Sequence, residues 1–251
     1  MKPSIHIVMQ GKGGVGKSVI ARLLQEYMIS ERRPFIGFDA DPVNQTFAAH
    51  GNAFVTAVDL LDDSRIIPER FDSLMESIFF NDDKTVILDT GASSFLPFME
   101  YFSKNKITDV LQEEGFEVFI HTVVTGATSA KDTILGFLQL VKRFSDTSNV
   151  IVWENSYFGA VELDGKLFGE IPDVKKAINS ESVMAIIPLP KEYDLHEKAL
   201  LQFLDNGDSF AEASAKDNTK YDTMTRRRLK QLQEKYVNLL NPVIGSDNNE
   251  T

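Results

Sequence analysis

The 251 residues contain no cysteine, so neither a disulfide framework nor a thiolate metal site is open to the chain. Long apolar runs are missing too: none approaches the roughly 18 residues that a membrane-spanning helix requires. The opening MKPSIHIVMQG enters an apolar segment without the basic region, long apolar stretch and small-residue cleavage site of a secretory signal, which leads us to expect a cytoplasmic protein. Positive charge is scarce. Against 37 Asp and Glu stand only 26 Lys and Arg, and the net charge of −11 opposes adhesion of the whole surface to nucleic acid or anionic lipid, though not through a local basic patch. The four histidines, His6, His50, His121 and His196, show no ligand spacing, and no zinc pattern or nucleophile elbow occurs. His6 and His121 lie in apolar runs, where a satisfied core or edge histidine is the expected role.

What is present is an alternation. Short, nearly continuous apolar runs at Ser4–Gln10, Phe35–Asp39, Thr85–Asp89, Phe116–Val124, Val150–Glu154 and Val183–Ile187 read as strands covered on both faces. Between them, Ser18–Ile29, Pro68–Phe80, Ala130–Phe144 and Glu192–Leu204 carry helical periodicity. This pattern predicts an α/β fold, a doubly wound, mostly parallel sheet with helices on both faces, as one domain over residues 1–244. The polar tail 245–251 is expected to be disordered. Asp164-Gly165 predicts a β-hairpin turn within FGAVELDGKLFGEI.

The stretch GKGGVGKS, Gly11 to Ser18, fits G-x-x-x-x-G-K-[ST] and lies between an apolar strand and an amphipathic helix, the setting a phosphate-binding loop needs. Backbone N–H groups of Gly11, Gly13, Gly14, Val15 and Gly16 are placed to curl round phosphate oxygens, with the positive end of the following helix behind them. Lys17 is then the residue to reach the β and γ phosphates, and the Ser18 hydroxyl a Mg²⁺ ligand. Lys12 is a second lysine in the same turn, on its outer side.

With K-G-G-x-G-K-S at Lys12 to Ser18, the sequence resembles the ParA/MinD superfamily of deviant-Walker ATPases. That resemblance implies that Lys12 crosses the interface of a nucleotide-sandwich dimer to touch the phosphates held by the partner, a charge supplied in trans as an arginine finger is. The alternative is a solvated loop lysine. GFDADPVNQTF, Gly37 to Phe47, is similar to the family's first switch; in that reading Asp41 orients the attacking water and Asp39 supports the magnesium shell, while two such aspartates can also cap a following helix. TVILDTGASSF ends an apolar strand in Asp89, a Walker B carboxylate for Mg²⁺, with Gly91 giving the next loop room. By the same resemblance Asn155 stands at the adenine edge and Pro188 walls the base, although Asn155 also suits the opening of a turn.

The details VMQGKGGVGKS, DADPVN, ILDTGASSFLPF and VWENSYFG further resemble the TraL group of plasmid conjugal-transfer nucleotide-binding proteins. The resemblances imply a slow, partner-dependent ATPase that binds Mg-ATP, dimerises on it and switches a protein of a transfer machinery. A ParA-like partition or positioning ATPase, a metabolic enzyme of the dethiobiotin synthetase type and a nucleotide-dependent binding module with negligible turnover are the alternatives. Residues 220–240 form a basic amphipathic helix whose solvated arginines either decorate a docked terminal helix or meet DNA or, less readily, a membrane surface.

Overall fold

The apolar runs form the strands of one parallel sheet in the computed structural model, which describes residues 2–50, 53–62 and 65–245. The strands are β1 (Ser4–Val8), β2 (Phe35–Ala40), β3 (Val55–Ala57), β4 (Thr85–Thr90), β5 (Glu117–Thr125), β6 (Asn149–Asn155) and β7 (Ala185–Leu189). They lie side by side in the order β7-β6-β5-β1-β4-β2-β3, every neighbouring pair parallel. The helices are α1 (Lys17–Ser30), α2 (Thr46–His50), α3 (Pro68–Phe79), α4 (Phe95–Lys104), α5 (Ile107–Glu113), α6 (Ala130–Phe144), α7 (Pro172–Asn179), α8 (Asp194–Asn206), α9 (Phe210–Ser214) and α10 (Thr223–Ile244).

Successive side chains of a strand point to opposite faces, so each central strand feeds two cores. Val8, Phe119, Val123, Ile151 and Trp153 meet α1, α8, α9 and α10 on one face. Ile5, Ile7, Val86, Leu88 and Ile120 meet α3, α4, α5 and the end of α6 on the other, and Val150 and Val152 pack with α6 and α7. A fully buried side chain such as Ile151 or Leu24 contributes roughly 1.5–3 kcal/mol. The sheet is therefore doubly wound.

Helices α4, α5 and α7 and the edge strand β3 go beyond the elements read from periodicity. In FLPFMEYFSK of α4, Pro97 interrupts the pattern, but it sits in the first turn, where a missing N–H costs the helix nothing. Helix α10 spans 22 residues, and its stripe Leu229, Leu232, Tyr236 and Leu240 is buried against the core that α1 and α8 share. Its first turn is capped by Asp222, whose carboxylate accepts from the Thr225 N–H at 2.8 Å. The hairpin pairs Glu162–Leu163 with Lys166–Leu167, and both turn residues, Asp164 and Gly165, have positive φ (53° and 74°), as the Asp-Gly turn demands. Of the tail expected to be disordered, 246–251 lies outside the described residues.

Beneath α1 and α10 the two strand histidines form a relay whose direction follows from one residue. The Trp153 indole can only donate, so Nδ1 of His121 accepts at 3.0 Å; its Nε2 then carries the proton and donates to Nδ1 of His6 at 2.9 Å. His6 in turn faces Ser4 Oγ with Nε2 at 3.4 Å. Burial, helped by the charge of Arg33, pushes His6 down to about 3, and burial pushes His121 well below its ordinary value. Because the unfolded histidines take up protons near pH 6.5 and the folded ones do not, their contribution to stability is present above that pH. It is lost as pH falls below about 6.5, for His6 progressively toward about 3. Buried Glu26, raised by burial to about 7, changes stability in the opposite sense, so the separating measurement is site-resolved. We expect the imidazole NMR signals of His6 and His121 not to titrate between pH 7.5 and 5; a midpoint near 6.5 for either would show the relay to be open to solvent.

Candidate functional site

From β1 the chain runs through α1 to β2 on one side, while β5 lies on the other, so the sheet order reverses beside β1. Crevices of open parallel sheets form beyond the strand ends at such a point. Here lies the turn Gly11–Ser18. Gly14 and Gly16 take φ of 72° and 105°, the left-handed region that glycine enters without strain. Gly16 is the N-cap of α1 and no side chain caps it, so the first N–H groups of the helix remain directed at the crevice.

Two amides from outside the turn hold it from either side. Gln10 is buried; its Oε1 accepts from Gly11 N–H at 2.8 Å, and its Nε2 donates to the carbonyls of Val123 (2.8 Å) and Thr133 (3.1 Å). A Cβ at Gly136 of α6 would stand 2.4 Å from that Oε1, which explains a glycine in mid-helix. On the other side Asn155 donates to the Val15 carbonyl at 2.9 Å and accepts from Tyr157 N–H at 3.0 Å. Asn155 thus opens a turn and braces the loop at once. Gly11 packs on the Phe95 ring, 2.8 Å from where its Cβ would be.

The two lysines have different surroundings. Lys17 is buried, with Nζ donating to the Lys12 carbonyl at 3.3 Å. Burial lowers its pKa, and Asp89 and Asp41 act in the other direction. Lys12 extends over the rim, where its Nζ pairs with Asp132 of α6 at 2.9 Å.

Three aspartates end the neighbouring strands. Asp89, at the end of β4, is 1% exposed, and neither of its oxygens has a hydrogen-bond partner of normal geometry. Burial raises it to about 7, offset by the Ser18 hydroxyl and Lys17 and reinforced by Asp39 and Asp41. Asp39 is fully buried and occupied with backbone: it accepts from Asp41 N–H at 3.0 Å and from Ala48 N–H, in the first turn of α2, at 2.9 Å. The structure therefore places Asp39 as a helix cap. Asp41 accepts from Val43 (2.9 Å) and Asn44 (3.1 Å), and a Cβ on Gly91 would be 2.7 Å from its Oδ1. Gly91 gives room to Asp41.

Gly13, Gly14, Lys17, Ser18, Asp41 and Ser93 line a cleft of about 520 Å³. Across the rim formed by Gly14, Gly16 and Val19 it adjoins a more apolar one of about 300 Å³, bounded by Asn155, Tyr157, Leu189, Pro190, Glu197 and Tyr236. Pro188 does not line it. On β7 it pairs with Glu154 and points away, because Ile187 and Leu189 take the inward positions, so Pro190 is the proline at the cleft. Tyr236 was not apparent from sequence as a cleft residue: it comes from α10, and its hydroxyl donates to Glu192 at 2.8 Å, 44 residues away. On the same helix Arg226 is tied to the carbonyls of Asn218 and Tyr221, and Lys235 to Glu192. The basic face is thus smaller than its sequence suggests.

These residues fit a magnesium-bound polyphosphate. An unpartnered carboxylate beside a hydroxyl suits a hard cation, for which Asp89 and Ser18 would be the protein's ligands. Asp89 should also make the ligand-free protein less stable in alkali: its folded pKa is raised, so its contribution is full below about pH 4 and is lost as pH rises through about 7. We expect Asp89→Asn to raise the thermal midpoint of the ligand-free protein at pH 8 by several degrees and at pH 4 hardly at all, while weakening magnesium-dependent nucleotide binding. Equal midpoints at pH 8 would show that the carboxylate is solvated.

No family model matches the chain. Among solved structures, the MinD cell division protein of Aquifex aeolicus covers 92% of the chain (97% of that protein) at 17% identity and a TM-score of 0.49. The septum site-determining protein MinD of Pyrococcus horikoshii, complexed with Mg-ADP, covers 93% (96% of that protein) at 15% identity and the same score of 0.49. At these values the fold rests on the strand order above and not on the likeness. Two curated proteins of Escherichia coli, each called Protein TraL, are 37% identical over 227 residues, 90% of this chain and 92% of theirs. At that identity, over nearly the whole of both chains, the chain belongs to the TraL family, with the K-G-G-x-G-K-S loop of the ParA/MinD type.

Proposed function

We propose that the protein is a Mg-ATP-dependent switch that dimerises on ATP and hydrolyses it slowly, acting on a protein partner in plasmid conjugative transfer. The observation that carries this reading is the buried, unpartnered Asp89 beside Ser18 and Lys17, under a glycine loop held open from both sides. The loop N–H groups and the α1 terminus bind the phosphates, and Lys17 neutralises them. Ser18 and Asp89 hold Mg²⁺, which when bound neutralises charge on the β and γ oxygens. Asp39 acts through its hold on the Asp41 backbone, which keeps the Asp41 carboxylate at the cleft to orient water. The apolar cleft takes the base, with adenine favoured because the guanine-specific N-K-x-D pattern is absent from the sequence. Lys12 serves the phosphates of the second copy.

Turnover combined with sizing, with a slowly hydrolysed ATP analogue and with or without DNA, tests the whole reading. Stimulation of turnover by non-specific DNA would favour a ParA-like partition role.

Lys17→Ala should reduce ATP affinity at least 100-fold by calorimetry, because the loop then gathers phosphate charge without its main counter-charge. Unchanged affinity would reject the phosphate-loop assignment. A mixing experiment tests the trans role. Lys12→Ala and Asp41→Ala chains should each be inactive, yet their hybrid has one complete site, with Asp41 from one chain and Lys12 from the other, so activity should return in about half of the hybrid's sites. A hybrid that forms and stays inactive would refute action across the interface.

A further inference from the structure

Lys12 is not a free cation waiting for a partner molecule. Its Nζ lies 2.9 Å from Oδ2 of Asp132 in the same chain, with the two side chains 40% and 56% exposed. An exposed ion pair often reflects two long side chains meeting by chance, but Asp132 is held from below. It occupies the first turn of α6, where the helix dipole favours a negative charge. The adjacent Thr133 carbonyl accepts from Gln10, the residue that also holds Gly11, so this turn of α6 and the loop share one buried anchor. Just before α6 the chain is fixed in place: Ala127 takes a positive φ of 55°, and a Cβ on Gly126 would stand 2.4 Å from the Ala160 carbonyl oxygen. The carboxylate therefore has a set position relative to Lys12. Exposed Leu135 lies one turn along α6 from Asp132, and exposed Leu96 follows the Phe95 that packs on Gly11.

We propose that Asp132 is a positioning residue that retains Lys12 on its own chain and must release it before Lys12 can reach the phosphates of a second copy, so that Asp132 sets how tightly the nucleotide-dependent dimer forms. The inference rests on the trans reading of Lys12 given above. The strength of the contact suits a releasable restraint. A pair this exposed shifts an equilibrium by only about 1.4- to 5-fold, and a bound polyphosphate carries several charges in a closing, water-poor interface, so the phosphates win. Each dimer must open two such pairs, and removing both should tighten dimerisation by the square of that factor, about 2- to 25-fold.

The test uses the full chain and its Asp132→Asn and Asp132→Glu variants. Sedimentation with a slowly hydrolysed ATP analogue and Mg²⁺ should show the Asn variant dimerising about 2- to 25-fold more tightly than the wild type, with the Glu variant close to the wild type. The gap should shrink in 1 M salt, where the Debye length falls to about 3 Å. In the nucleotide-free protein, acetylation of Lys12 followed by mass spectrometry, referenced to exposed Lys230, should be about 1.4- to 5-fold faster in the Asn variant. A merely structural Asp132 would weaken the dimer or leave it unchanged, and either result, obtained while the wild type dimerises, overturns the proposal. If no variant dimerises with nucleotide, the sandwich reading falls and the gating role with it, and the acetylation rates alone then report the contact.

Discussion

Everything at the crevice depends on keeping a run of backbone N–H groups turned toward one point while the carbonyls of the same turn are satisfied elsewhere. Glycine permits that curl but does not hold it. The holding is done by Gln10 and Asn155, which bond Gly11 and the Val15 carbonyl from the two sides of the loop. Each amide is itself fixed by the ends of β5 and α6 or by the turn at Tyr157. A loop held in this way meets an anion with little left to reorganise, which is where preorganised donors draw their advantage.

The same arrangement has an electrostatic cost. The charges of Asp89 and Asp41 act on Lys17, and Asp39 and Asp41 each accept two backbone N–H groups. Asp89 is left buried without a hydrogen-bond partner, a destabilising placement in the fold alone and, on the proposed function, the carboxylate that receives the divalent cation. The histidine relay shows the contrasting solution: equally buried polar groups, every ring nitrogen partnered, and no charge retained.

The C-terminal helix joins both ends of this account. Its apolar stripe completes the core over α1 and α8, and Tyr236, through Glu192, makes part of the wall of the apolar cleft. Two of its cations are occupied in holding that wall and its own start, so the helix is a structural part of the site before it is a surface for any partner.

Six of the seven sheet strands, the longer helices, the parallel sheet and the loop were legible in the sequence, because each rests on local chemistry: a period of two or 3.6, glycine where φ is positive, an Asp-Gly turn. The TraL likeness was legible for the same reason, in motifs that are contiguous in the chain. What tertiary structure decided was which polar atoms had already found partners. Asp39, Asp41 and Asp89 are alike as strand-ending aspartates in sequence, yet one caps α2, one shapes the turn after β2 and one is left unpaired. Lys12 faces Asp132 across 120 residues of chain, and Pro190 rather than Pro188 reaches the cleft because β7 alternates its faces. Sequence spacing sets which donors and acceptors exist; only packing brings distant ones within 3 Å and so determines which remain available for a ligand.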